Sequence, residues 1–132
     1  MKRLLGPWAP QLLSMLRIVF ALLFLEHGTA KLFQFPYVEM FAHVEIGSLL
    51  GVAGIIELVG GALVAVGLFT RVAAFVLSGQ MAFAYFMAHE TQGVFPILNG
   101  GEGAILYCFA FLYIAAAGAG PISLDRILRR DD

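Results

Sequence analysis

Four apolar segments, each long enough to cross the hydrocarbon core of a lipid bilayer, occupy most of this chain. A helix needs about 20 residues to cross that core, within a usual range of about 17–25. Lipid offers no hydrogen-bond partners to the backbone, so a crossing segment must be a helix or a strand of a closed barrel, and these segments lack the alternation of barrel strands. The sequence therefore predicts an all-α integral membrane protein with a four-helix bundle over residues 9–33, 48–69, 72–88 and 103–120.

The composition favours one membrane domain and excludes other classes. Hydrophobic residues make up 61% of the 132 residues and charged residues 13%, whereas soluble domains have about 45–50% and about 25%. A chain of this length forms one domain, here residues 1–132, and cannot bury that much apolar surface within itself. A net charge of −1 gives no basic field for nucleic acid. The single cysteine, Cys108, forms no internal disulfide. Nucleic-acid binding and soluble hydrolase chemistry are therefore excluded.

Basic residues predict the orientation, because they accumulate on the cytoplasmic side of a membrane. Lys31, at the end of the first segment, is the only basic residue expected on the outer side. Both termini are therefore expected in the cytoplasm. The first segment contains Arg17 and lacks a clear cleavage site, so we expect a retained helix rather than a signal peptide. The residues expected on the inner side are Lys2, Arg3, Arg71, Arg126, Arg129 and Arg130.

The connections between the segments are unequal in length. The inner turn covers residues 68–71, whereas the outer connections cover residues 34–47 and 90–101. We expect a short interfacial helix in the first outer connection, and a pocket opening outward beneath the two. After the fourth segment, Ser123 is expected to cap a short helix at the membrane surface, with Asp125 near its positive N-terminal end.

Charged residues within the predicted helices carry the main functional signal, because a central Arg or Asp costs about 2.5–3.5 kcal/mol on insertion scales. Glu57 lies near the middle of the second segment, bordered by Gly54 and Gly61 in a stripe of small residues that allows close helix packing. Glu57 is therefore expected to face the bundle interior, where it must pair with a cation or stay protonated. Arg17 could reach it from the inner side and Lys31 from the outer side.

Polar residues from all four segments are expected to meet in the outer half of the bundle. We predict proton-relay or head-group roles for Glu57, His89 and Glu102, with Arg17 holding Glu57 in place. The alternatives are structural: Arg17 and Glu57 form a packing pair, and His89 and Glu102 are ordinary surface residues. Lys31 alternatively snorkels to the outer headgroups. The other predicted ligand-binding residues are Arg17, His27, Lys31 and Tyr85.

Helical periodicity defines the faces expected to turn inward. On the first segment this face includes Ser14, Arg17, Ala21, Gly28 and Lys31. On the third it includes Ser78, Ala82, Tyr85 and His89, and on the fourth Glu102, Leu106, Phe109 and Tyr113. The aromatic walls of the outer site are expected from Phe83, Phe86 and Phe109.

Several short motifs occur in a recognisable order. The first segment ends in the sequence EHGTAKL at residues 26–32, and GLFTRVAA follows at residues 67–74. Residues 99–102 read NGGE and residues 118–125 read GAGPISLD. Together they resemble the DoxX family of small prokaryotic four-helix membrane proteins. The resemblance implies a cytoplasmic-membrane protein with both ends inside. It also implies a redox-linked role, because the family takes its name from a subunit of a thiosulfate:quinone oxidoreductase and other members are linked to thiol-redox complexes.

Two function hypotheses follow. In the first, the protein is a quinone-binding component of a membrane oxidoreductase. Quinone reduction needs proton carriers and head-group donors. The sequence has no haem, flavin or iron–sulfur motif, so a partner redox subunit or a bound cofactor would supply the electrons. In the second, the protein is a non-enzymatic assembly subunit or a small transporter formed by a homo-oligomer. A metal site from His27, His89, Glu102 and Glu57 has no supporting spacing, so no metal is predicted.

Overall fold

The computed structural model describes residues 1–128, apart from the side chain of Lys2, and shows an all-α protein without strands in that range. Arg129 and Arg130, two of the basic residues predicted on the inner side, lie outside the described residues. A π-helical turn covers Tyr85–His89, and 3-10 turns cover Gly6–Trp8, Glu39–Phe41 and Glu90–Gln92. The α-helices are α1 (Lys2–Leu5), α2 (Ala9–Phe33), α3 (Leu49–Val66), α4 (Thr70–Ala84), α5 (Pro96–Asn99), α6 (Glu102–Ala117) and α7 (Leu124–Ile127).

Within the described residues, three helical stretches are long and apolar enough to cross a membrane: Arg3–Phe33, Leu49–Val66 and Thr70–Gln92. The fourth apolar helix, α6, has 16 residues, so at 1.5 Å per residue it is about 24 Å long, slightly less than the bilayer core of about 30 Å. The fold is thus that of a small helical membrane protein with three long apolar helices and one shorter one.

Helix ends depart from the predicted segments where backbone geometry stops the helix. α2 covers the same residues as the first predicted segment. α3 ends at Val66 because Gly67 adopts a left-handed conformation with a φ of 72°. α6 ends at Ala117 because Gly118 has a φ of 92°, which is incompatible with helix continuation. The first outer connection contains a single 3-10 turn, Glu39–Phe41, where a short interfacial helix was expected.

The helices pack as two antiparallel pairs. α2 lies along α3, α4 lies along α6, and α3 and α4 join the pairs, whereas α2 and α6 contact each other sparsely. Phe24 and Phe111 are almost completely buried between the pairs, with ring centroids 5.0 Å apart. We call the two ends of the bundle the Arg17 end and the Lys31 end, after these residues of α2.

The prediction of which face of α6 turns inward is wrong. Leu106, Phe109 and Tyr113 are 58–65% exposed, and Glu102 is also exposed. α6 is apolar on nearly all sides, so its pattern does not distinguish a buried face, and Phe111 and Ile114 are the residues that fill the core. The expected aromatic walls are also wrong, since Phe83 of α4, Phe86 of the π-helical turn and Phe109 of α6 are all more than half exposed.

Two glycines allow α2 and α3 to approach closely. A Cβ atom on Gly28 would lie 2.8 Å from the backbone nitrogen of Leu58 and 3.0 Å from the carbonyl oxygen of Gly54. A Cβ atom on Gly54 would lie 3.1 Å from the Cβ atom of Lys31. Each glycine precedes a charged residue of the same helix by three positions, so this contact brings Lys31 and Glu57 together.

Candidate functional site

A buried ion pair joins α2 to α3. Nζ of Lys31 lies 2.6 Å from Oε1 of Glu57, and the two residues are 9% and 1% exposed. The inward orientation of Glu57 is the one that its small-residue stripe predicts. Lys31 is therefore a partner of Glu57, and it does not extend to the outer headgroups.

Gln80 of α4 completes the cluster. Its Nε2 donates to Oε1 of Glu57 at 3.0 Å and to the carbonyl oxygen of Ala53 at 3.3 Å. The same carboxylate oxygen thus accepts hydrogen bonds from both Lys31 and Gln80. We call Lys31, Glu57 and Gln80 the charged cluster.

Two oxygen atoms of the charged cluster lack a hydrogen-bond partner. They are Oε2 of Glu57 and Oε1 of Gln80, and both atoms are buried among the described residues. Both are acceptors, so neither can satisfy the other while Glu57 is ionised. A buried acceptor without a partner costs about 1–3 kcal/mol. Donors from another molecule would supply the hydrogen bonds that these two acceptors lack.

Aromatic rings border the charged cluster at the Lys31 end. Nζ of Lys31 lies 5.3 Å from the ring centroid of Phe41, which belongs to the first outer connection. His27, one turn before Lys31, is exposed and packs edge-on against Tyr107 with 5.8 Å between ring centroids. His27 is also within electrostatic range of Glu57. One side of the cluster thus combines apolar rings with a titratable imidazole.

The predicted pairing of Arg17 with Glu57 is wrong. Arg17 is fully buried, but its guanidinium donates to four backbone carbonyl groups. Nε donates to Ala119 at 2.8 Å, and Nη1 donates to Ala65 at 2.6 Å and also to Val64. Nη2 donates to Ile122. Arg17 thus ties the C-terminal end of α3 to the segment that follows α6, so it has a structural position remote from the carboxylate.

Other charged residues at the Arg17 end also cap helix termini. Arg71 donates through Nη1 to the carbonyl oxygens of Ala115 and Ala116, in the last turn of α6. The carboxylate of Asp125 accepts from the backbone nitrogens of Phe69 at 2.8 Å and Thr70 at 3.0 Å. Each charge has the sign that suits its helix end, cationic at a C-terminus and anionic at an N-terminus.

The expected C-terminal helix is present in part as α7. Ser123 caps it, since its Oγ accepts from the backbone nitrogen of Arg126. Asp125 lies in the first turn of α7, as predicted, and its side chain also caps the N-terminus of α4. The GAGPISLD motif thus closes the Arg17 end of the bundle.

The residues predicted from the third and fourth segments lie in a different group. Nδ1 of His89 is 3.0 Å from the carbonyl oxygen of Asn99, and its ring stacks on Tyr85 with 6.4 Å between centroids. Asn99 is buried, and its side chain donates to Gly93 and accepts from the backbone nitrogen of Gly101. This group organises the second outer connection. Within residues 1–128, no hydrogen bond or ion pair links it to the charged cluster.

The structure therefore divides the predicted site. Lys31 and Glu57 come together with His27 nearby, His89 and Tyr85 form a separate group, and Glu102 is exposed without a hydrogen bond to the described residues. Nor does the described part of the chain hold three or more His, Cys, Asp or Glu side chains in a metal-binding arrangement. Sequence reasoning missed Gln80, whereas Asn99 belongs to the NGGE motif that the sequence analysis identified. A glutamine in the middle of an apolar helix was the available signal for Gln80, since an amide without a hydrogen-bond partner is costly in an apolar medium.

The fold and the charged cluster define a class: small helical membrane proteins with an ion pair buried between their first two long helices. The DoxX family model matches residues 12–90, which include Lys31, Glu57 and Gln80. A Haemophilus influenzae relative described as an uncharacterized protein is 48% identical over 125 residues, covering 92% of this chain and 93% of that protein. No solved structure matches the chain. The chain belongs to the DoxX family, which confirms the resemblance seen in its motifs.

Proposed function

We propose that this DoxX-family protein is a quinone-associated component of a membrane oxidoreductase, with its head-group site at the charged cluster. The observation that carries the proposal is the pair of buried acceptors without partners, Oε2 of Glu57 and Oε1 of Gln80, beside the ammonium group of Lys31. A quinol hydroxyl group is a donor that matches these acceptors, and a quinone carbonyl matches an N–H of Lys31.

Reduction of a quinone to a quinol takes two electrons and two protons. In the proposed reaction a partner redox subunit supplies the electrons. Lys31 and Glu57 occupy the position from which protons can reach the carbonyl oxygens, and His27 is the exposed titratable group nearest to them along α2. Proton transfer by positioned side chains is the contribution that this chain would make itself.

The surroundings of the cluster suit a flat, apolar ligand. The ring of Phe41 lies near Nζ of Lys31, Tyr107 packs against the neighbouring His27, and Gln80 is only partly buried. A head-group site of this kind needs mostly apolar walls and a few well-placed polar groups. Among the described residues, neither His89 nor Glu102 forms a hydrogen bond or ion pair with the cluster, so we give them no part in head-group binding.

We further propose that the protein lies in the prokaryotic cytoplasmic membrane with both termini inside. Arg71 and Arg126 lie at the same end of the bundle as the start of α2, and Arg3 precedes that helix. Lys31, the basic residue of the other end, is neutralised by Glu57. This distribution follows the rule that basic residues remain on the cytoplasmic side.

Equilibrium binding of a short-chain benzoquinone and its quinol to the purified protein in nanodiscs tests the proposal. We expect saturable binding that is lost in Glu57→Leu and weakened in Gln80→Leu. Gly79→Ala, on the exposed side of the same helix as Gln80, is the matched control and should bind like the wild type. Equal binding by all four proteins, or binding by none, would contradict the proposal. Circular dichroism of each variant separates loss of the site from loss of the fold.

A further inference from the structure

We propose a second binding site, for the headgroup of an anionic phospholipid, at the Arg17 end of the bundle. A groove of about 530 Å³ opens there between the start of α2, the end of α6 and the segment that leads into α7. Because α2 and α6 contact each other sparsely, the groove lies between two helices that leave a gap. This site is separate from the charged cluster and does not depend on quinone binding.

The long walls of the groove are apolar. Ala9, Pro10 and Leu13 of α2 form one side, and Tyr113 and Ala117 of α6 form the other. These mostly apolar side chains can pack against the glycerol and upper acyl region of a lipid. They provide few hydrogen-bond donors for a small ion.

Two arginine residues give the groove its positive charge. Arg71 uses only Nη1 in capping α6, so its Nε and Nη2 donate no hydrogen bond to the described residues. The guanidinium of Arg126, also at the groove, forms no hydrogen bond or ion pair with the described part of the chain, and Arg126 is exposed. Guanidinium groups match phosphate oxygens in geometry and charge.

Asp125 is the acidic residue among those that line the groove. Its carboxylate already accepts hydrogen bonds from Phe69 and Thr70, and it is within electrostatic range of Arg17. The groove therefore presents two guanidinium groups with unused donors and one carboxylate whose two oxygen atoms already accept hydrogen bonds from the backbone. The excess of positive charge among these groups favours an anionic ligand.

The position of the groove favours a phospholipid over a free phosphate. It lies where α2 begins and α6 ends, and Trp8, just before α2, is 59% exposed. Trp and Tyr residues gather at the level of the headgroups in membrane proteins. A lipid in the adjacent leaflet would thus present its phosphate at the depth of Arg71 and Arg126 while its chains follow the apolar walls.

Native mass spectrometry of the protein released from mixed-lipid nanodiscs tests the site. We expect preferential retention of phosphatidylglycerol over phosphatidylcholine with the same acyl chains. Arg126→Gln should weaken that retention about fivefold, as expected for one basic residue at the membrane surface. Arg71→Gln should weaken it further, although its loss of the α6 cap can also affect folding. The guanidinium of Arg126 caps no helix among the described residues, so loss of lipid retention in Arg126→Gln reports on the groove and not on folding.

Arg3→Gln is the matched control, because it removes the same charge from an exposed residue that does not line the groove. We expect it to retain phosphatidylglycerol like the wild type. Equal retention of the two lipids, or equal losses in Arg3→Gln and Arg126→Gln, would overturn the proposal. Full displacement of phosphatidylglycerol by millimolar inorganic phosphate would also overturn it, since the site would then recognise the free ion.

Discussion

Lys31 and Glu57 form an ion pair in the interior of the bundle, with Nζ and Oε1 separated by 2.6 Å and both side chains at least nine-tenths buried. A buried ion pair is poor evidence for a stabilising role, because well-packed apolar residues of similar size often give equal or greater stability. The unpartnered Oε2 of Glu57 adds a further cost. A functional reason for the pair is therefore the better explanation, and it underlies the proposal of a head-group site.

The first prediction concerns the energetic coupling within this pair. Lys31→Met or Glu57→Leu alone should lower the free energy of unfolding by about 3–5 kcal/mol, because each leaves one buried charge without its partner. The double variant should be close to the wild type in stability. Unfolding of the wild type, the two single variants and the double variant in mixed micelles measures the coupling energy between the two residues. Additive losses in the double variant would contradict the paired geometry.

The second prediction concerns the contact between α2 and α3. Gly28→Ala should lower the midpoint of thermal unfolding in detergent, because its Cβ atom would lie 2.8 Å from the backbone of Leu58. Gly79→Ala is the matched control, since nothing lies within 4 Å of a Cβ atom there, and alanine favours a helix by about 1 kcal/mol over glycine. The control should be neutral or slightly stabilising. A Gly28→Ala variant with the wild-type midpoint of thermal unfolding would contradict the close approach of α2 and α3.

The third prediction concerns Arg17. A lysine has no forked group that reaches four carbonyl oxygens at once, so Arg17→Lys should lose most of the bonds between α3 and the segment after α6. We expect a loss of at least about 3 kcal/mol, since each hydrogen bond to a charged group contributes about 1.5–3 kcal/mol. Chemical denaturation measures it. Arg3→Lys, on the exposed surface, should change nothing, and an equal tolerance of both changes would contradict the capping role.

The fourth prediction concerns Asp125. Asp125→Ala removes both acceptors from the N-terminus of α4 and should lower the free energy of unfolding by about 1–2 kcal/mol, within the range for lost helix caps. Glu90→Ala, at an exposed acidic residue in the 3-10 turn Glu90–Gln92, should cost much less. Thermal melts of the two variants in the same detergent make the comparison. If both lose equal stability, the cap contributes nothing specific.

The spacing of small residues in α3 was enough to predict that Glu57 faces the bundle interior. It did not show which basic residue pairs with Glu57. The glycines at positions 51, 54 and 61 mark the packed face of α3, and Glu57 lies on that face. Whether Lys31 or Arg17 reaches it depends on the relative positions of α2 and α3 along their axes. That position is set by Gly28 against Gly54 and Leu58, a contact between helices that no pattern within one helix reveals.

The partners of Arg17 were beyond sequence reasoning for a related reason. They are backbone carbonyl groups, which every residue has, and they become available only where α3 ends and where the chain turns after Gly118. Gln80 was missed because periodicity assigned α4 the face of Ser78 and His89. Its signal was the residue type alone, an amide in an apolar helix.

The most direct test of the account is native mass spectrometry of the protein released from mild detergent after growth without added ligand. We predict a retained quinone that is absent from the Lys31→Met/Glu57→Leu double variant, which should fold because neither charge is left alone. Gly79→Ala should retain it. A wild-type protein that carries phospholipid but no quinone, or a double variant that keeps the quinone, would contradict the assignment of the head-group site to Lys31, Glu57 and Gln80.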